Sequence, residues 1–169
     1  ARRFADSVGN IEIAESVLKD TQEGAEERAR LKDHFEHHAE FEFVIPGAFL
    51  GLRYEGSPVI SYDGAVPPAD DPNEYTPNAI PGSRAPHVWL GNEALCDQLG
   101  PGFSLVRFGG VKDDLGHDIP VVDIDDTGAR KLFGADYVLI RPDQHIAWRG
   151  DEIVDAAELA DIVWGRRPL

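Results

Sequence analysis

Cys96 is the only thiol in the chain, and redox or peroxidatic chemistry is the first function its type suggests. Such chemistry needs a thiolate at a helix N-terminus and usually a second cysteine to resolve the disulfide. Cys96 has no CxxC partner. The pattern around it predicts a helix over 93–99, capped by Asn92, with the thiol in mid-helix where the dipole does not favour a thiolate. Cys96 therefore reads as a small buried hydrophobe. His34, His37 and His38 sit on a second predicted helix beside Asp33 and Glu36. His34 and His38 are four residues apart, the spacing that puts two imidazoles on one face. A metalloprotease-type helix would need Glu where this chain has Phe35, and no third ligand lies close by, so a solvated face is the expectation.

Asp113, Asp114, Asp118, Asp123, Asp125 and Asp126 cluster around one predicted strand and its loops. A calcium loop needs alternating Asp and a Glu at its twelfth position, which this stretch lacks, so turn and cap roles are expected. No GxGxxG follows a strand, no GxxxxGK[ST] cradles phosphate, and no G-x-S-x-G presents a serine. Arg84, His87, Arg141, Asp143, His145, Trp148 and Arg149 bracket strands. They either line an interface with another domain or, in the case of Arg141 and Asp143, pair locally across a turn.

These residues must be carried by elements that hydrophobic spacing predicts. Ile11, Ala14, Val17 and Leu18 predict a helix over 8–22, with Asn10 as N-cap and Gly24 as a break. Leu31, Phe35 and Ala39 predict a second helix over 25–40. Seven of the twelve prolines fall within residues 56–86. That stretch is either a floppy linker or an ordered loop, and Ile60, Tyr62, Val66, Tyr75 and Ile80 give it anchors for order. Strands are expected over 87–90, 103–108, 119–124, 136–141 and 145–149, the last two joined by Pro142-Asp143-Gln144. Helices are expected over 127–133, ended by Gly134, and from Asp155 to about Trp164. Strand–helix–strand favours parallel pairing, and the hairpin adds antiparallel strands. The fold class is thus α/β: a thioredoxin-like mixed sheet with flanking helices, preceded by an N-terminal helical segment and a long Pro-rich loop.

Composition narrows the function classes. A chain of 169 residues forms one domain, or one domain plus an appendage. Its formal net charge of −15 disfavours nucleic acid and anionic membrane surfaces as partners. No apolar run spans a bilayer, no signal-peptide pattern opens the chain, and one cysteine forms no internal disulfide, so a cytoplasmic location is the default expectation. The chain lacks methionine and begins Ala1-Arg2-Arg3. Processing, cloning or proteolysis would leave such an N-terminus, and removal of an initiator Met is the simplest case.

Four blocks carry a family resemblance: Leu50 to Tyr54 (LGLRY), Gly56 to Ile60 (GSPVI), Pro81 to Leu90 (PGSRAPHVWL) and Tyr137 to Gly150 (YVLIRPDQHIAWRG). In that order the chain resembles the C-terminal region of the FAD-dependent aromatic-ring hydroxylases, the phenol hydroxylase-like flavoprotein monooxygenases. The resemblance implies that residues 1–43 end a set of upstream flavoprotein domains and that 44–169 form the thioredoxin-like C-terminal domain. It implies FAD and NAD(P)H in the parent enzyme and no cofactor on this chain, whose sequence lacks the family's flavin motifs. The implied partners are the upstream FAD and substrate domains, with a homodimer as a further contact. The implied role is non-catalytic, in domain packing or dimerisation. A stand-alone interaction module using the Pro-rich segment and a thioredoxin-fold thiol enzyme are the alternatives.

Overall fold

The computed structural model describes residues 11–111, 113–116 and 119–166, without the side chains of 38–42. Its centre is a four-stranded sheet of β3 (Ser104–Phe108), β4 (Val121–Ile124), β5 (Tyr137–Ile140) and β6 (Ile146–Gly150), ordered β4-β3-β5-β6. β3 pairs parallel with β4 and antiparallel with β5, and β5 pairs antiparallel with β6. This is the mixed thioredoxin-like sheet expected from the sequence.

Residue alternation along the strands divides the core into two layers. Val106, Phe108, Val138 and Ile140 face one side with Phe133 of α4 (Thr127–Phe133). Leu105, Tyr137, Leu139 and Ala147 face the other with Leu159 and Val163 of α5 (Ala156–Val163). Burial on both faces is why β3 and β5 read as nearly continuous apolar runs. Both helices start where expected. Asp126 accepts from the Ala129 amide at 2.7 Å and Asp155 from the Glu158 amide at 2.8 Å. The acidic cluster resolves in the same way. Asp123 takes both arms of Arg107 across the parallel pair, at 2.8 and 2.9 Å, and Asp114 accepts from the Gly116 amide at 2.8 Å. Asp118 lies outside the described residues.

Several expectations are corrected. Within the described part of 8–22 there is only a 3-10 turn, Glu15–Leu18, and Asn10 lies outside the described residues. Gly24 breaks nothing: it lies inside α1 (Gln22–Phe43). The Ser16 and Lys19 carbonyls cross the helix there so closely that a Cβ would strike them. Residues 87–90 do not join the sheet. β1 (Trp89–Leu90) pairs antiparallel with β2 (Glu93–Ala94) in a small separate hairpin. The helix expected over 93–99 shrinks to α3 (Leu95–Gln98), with Ala94 rather than Asn92 as its N-cap residue. Cys96 then falls at the second residue of this short helix, next to the buried Leu95, and is itself exposed, not buried. Accordingly, Cys96 should react with a thiol reagent in the native protein at the rate it shows in urea. A large acceleration on unfolding would contradict the exposure.

The Pro-rich segment is ordered, which overturns the linker reading. An edge strand leaves unpaired backbone groups, and this loop covers them on β6. The Gly82 amide donates to the Ile146 carbonyl at 2.8 Å, the Ile146 amide to the Ser83 carbonyl at 2.9 Å, and the Ser61 amide to the Ala147 carbonyl at 2.9 Å. Of its apolar anchors, Ile60 is buried and Tyr75 and Ile80 are half-buried, whereas Tyr62 and Val66 are exposed.

Candidate functional site: a polar clamp beside a cleft

The β5–β6 turn brings together four of the seven bracketing residues. The Arg141 amide donates to the His145 carbonyl at 2.8 Å, and the Gln144 amide closes on the Arg141 carbonyl at 2.9 Å. Gln144 takes a positive φ of 64°, unusual for a residue with a Cβ. Its side chain accepts from Arg84 at 2.8 Å, and its carbonyl from the Ala85 amide at 2.8 Å. Asp143, at the tip, is the hub. It accepts from Tyr54 Oη at 2.8 Å, from Arg141 Nη2 at 3.2 Å and from the His145 amide at 3.2 Å.

Tyr54 was not among the residues the sequence singled out as a site, and it completes the cluster. The Arg141 guanidinium lies 5.1 Å from its ring centroid, and the His145 ring meets its edge at 5.0 Å. His145 Nδ1 lies 3.0 Å from the Asp143 carbonyl, and Nε2 lies 3.3 Å from the Leu52 carbonyl. The imidazole thus bridges the turn to the segment that carries Leu52 and Tyr54. The only signal in the sequence was that Tyr54 ends the LGLRY block. Its partners are 87 to 91 residues away, beyond the reach of any spacing rule.

The remaining three residues sit elsewhere. Arg149 donates to Asp63 at 2.7 Å and to the Phe133 carbonyl at 3.2 Å, tying the Pro-rich loop to the end of α4. Trp148 packs on the α5 side of the core. His87 is exposed and stands edge-on to Trp89 at 5.1 Å, and it lines a small cavity of about 150 Å³ with Arg84, Gln144 and Cys96 rather than joining the hydrogen bonds of the turn. The other sequence candidates do not converge. His34 meets Phe35 edge-on at 5.6 Å, and the side chain of His38 lies outside the described residues. Among the described residues no group of three His, Cys, Asp or Glu is placed to hold a metal, and no described helix is long and apolar enough to cross a membrane.

The electrostatics describe a brace rather than an acid–base pair. Burial works to raise the Asp143 carboxyl, but the hydrogen bonds from Arg141, Tyr54 and the His145 amide, with the Arg141 charge, hold it down at about 2. The Asp143 hydrogen bond and charge push the Tyr54 phenol above its ordinary value. A carboxylate so weakly basic and a phenol so weakly acidic are poorly matched to proton transfer at neutral pH. The sign of the linkage is set by the lowered carboxyl. Its contribution is present above the unfolded value of about 3.9 and is lost as pH falls through about 2. Asp143→Asn should therefore be less stable than the parent chain at pH 6 by urea unfolding, with the gap closing towards pH 2. A constant gap would refute the assignment.

Next to the clamp lies an open cleft of about 410 Å³. Gly47, Leu50, Leu52, Asp70, Tyr75 and Arg84 are among the residues that line it. The N-termini of α4 and α5 are closed by their own carboxylates, Asp126 and Asp155, and so do not offer a pyrophosphate seat.

The sheet order, the two covered faces and the loop along β6 define a thioredoxin-like α/β domain organised around a structural brace. Residues 78–164 match the family described as aromatic-ring hydroxylase, C-terminal, and the chain belongs to that family. It is 30% identical to the FAD-dependent monooxygenase apdD of Emericella nidulans, over 89% of this chain and 27% of that protein. It is 29% identical to a phenol 2-monooxygenase of a Pseudomonas species, over 92% of this chain and 30% of the relative. Among solved structures, RebC-10x, native and K252c-bound, superposes with a TM-score of 0.82 at 28% identity, covering 98% of this chain and 34% of RebC-10x. The chain therefore spans about a third or less of the length of the relatives it matches.

Proposed function

We propose that this chain is the non-catalytic C-terminal domain of an FAD-dependent, NAD(P)H-using aromatic-ring monooxygenase. In this reading the flavin and substrate sites lie in preceding parts of the polypeptide, and this domain serves packing and dimer contacts. The observation that carries it is the near-complete match of this chain to a minor share of flavoprotein monooxygenases. Two features of the chain support it. A redox centre on this fold needs a second cysteine to resolve the disulfide, and Cys96 is the single cysteine of the chain. Residues 61 and 82–85 of the Pro-rich segment bond to β6 and its turn, which favours a part built into this domain over a free binding segment.

When bound in the parent enzyme, the flavin supplies the oxygen chemistry, and the protein supplies position and exclusion of water. The test is a titration of the folded 169-residue chain with FAD, followed by flavin fluorescence, beside the full gene product. The expected result is no saturable binding by the chain and stoichiometric flavin in the full product. Micromolar binding by the chain, or a flavin-free full product, would overturn the proposal.

A further inference from the structure

Residues 43–52, Phe-Val-Ile-Pro-Gly-Ala-Phe-Leu-Gly-Leu, contain no charged side chain, although 47 of the chain's 169 residues are Asp, Glu, Lys or Arg. A soluble surface has no use for such a run unless it is covered, and here it is not covered. Phe43 is 73% exposed, Val44 59%, Phe49 67% and Leu52 66%. The sheet unit beside it closes both of its own faces, so the strip is not a missing piece of that core.

The strip is also held in shape. The Ala48 amide, in α2 (Pro46–Leu50), reaches the Pro72 carbonyl at 3.2 Å, and Asn73 reaches the Val44 carbonyl at 3.3 Å. At its far end His145 Nε2 lies 3.3 Å from the Leu52 carbonyl, and the Tyr54 amide donates to the Gly82 carbonyl at 2.9 Å. Charge-poor, aromatic-bearing and preorganised is the composition of an interface core.

We propose that this strip, with the mouth of the adjoining cleft, is the surface on which the flavin-binding part of the same polypeptide docks. The clamp of Tyr54, Asp143 and His145 serves as the brace behind it. This rests on the reading of the chain as a C-terminal domain. Three observations select that occupant over a second copy. The family is defined by its C-terminal position. The matched relatives carry about two thirds or more of their length outside this unit. In chain order the strip lies between α1 and the sheet unit, on the N-terminal side of that unit.

The test compares backbone hydrogen exchange of residues 43–52 in the 169-residue chain and in the full gene product with FAD bound. Phe49→Asp/Leu52→Asp is made in both. These side chains are exposed, so the isolated chain should keep its melting temperature and behave as a monomer by light scattering. In the full product, exchange across 43–52 should slow by roughly tenfold or more, and the double variant should abolish that protection and release flavin at lower temperature. Equal exchange in the two proteins would overturn the proposal, as would a double variant that holds flavin like the wild type. A concentration-dependent dimer of the isolated chain, broken by the double variant, would assign the strip to a second copy and overturn it too. A full product that binds no FAD would instead defeat the underlying reading, whatever the strip does.

Discussion

Phe133→Ala is expected to destabilise the domain by about 3–5 kcal/mol, the usual cost of emptying a fully buried aromatic site. Phe133 ends α4 with no solvent exposure and meets Phe108 of β3 at 5.3 Å between ring centroids. Val106, Val138 and Ile140 belong to the same layer. Val106, Phe108, Val138 and Ile140, four side chains of this layer, come from β3 and β5, whose pairing cannot shift without exposing the opposite layer, so the site has little room to collapse. For a chain of this size the loss corresponds to a melting temperature lower by on the order of 10 °C. Lys131→Ala, on the exposed side of the same helix, should fall within about 0.5 kcal/mol of the parent. Urea unfolding of the three proteins measures both values. A cost below about 1.5 kcal/mol for Phe133→Ala would mean that the layer repacks.

The second large effect is expected at Gly82. Its φ is +94°, in a region L side chains avoid, and an added Cβ would strike the Tyr54 carbonyl. Gly82 donates to Ile146 on one side and accepts from Tyr54 on the other, so a single residue stitches the 52–54 segment to β6. Gly82→Ala should cost on the order of 1–3 kcal/mol for the backbone conformation alone, with the backbone clash added. Gly56→Ala separates the two contributions. Gly56 also has a positive φ, of 62°, but nothing lies within 4 Å of its Cβ position. The Gly82 variant should be the less stable of the two on thermal melting. It should also be the only one with faster amide exchange at Tyr54. Equal melting temperatures would show that the 52–54 segment yields freely, and the clamp would lose its structural meaning.

Local and periodic features were legible in the residues. The helix over 127–133 with its Asp126 cap, the last helix from Asp155, and the four sheet strands all follow from short-range capping and apolar runs, and all are present. The family resemblance was legible too, because four blocks in a fixed order carry more information than any one spacing. Where tertiary contact overrides local preference, the residues misled. Gly24 reads as a break, yet it is a helical residue chosen for a crossing backbone. Residues 87–90 read as a sheet strand, but both sides of β3 are taken by β4 and β5, and Trp89 and Leu90 pair with β2 instead. Cys96 reads as buried because free cysteines usually are, and it stands exposed on a short helix.

The clamp belongs wholly to the tertiary structure. Arg141 and Asp143 are close in sequence and could be paired on paper, but their meaning depends on Tyr54, which arrives from 89 residues away to give its hydroxyl to Asp143. Chain connectivity sets which residues can be near neighbours along a helix or strand. Only the closing of the 52–54 segment and the Pro-rich loop onto the β5–β6 edge decides which distant side chains meet, because that closure is driven by the unpaired edge and the buried layers behind it.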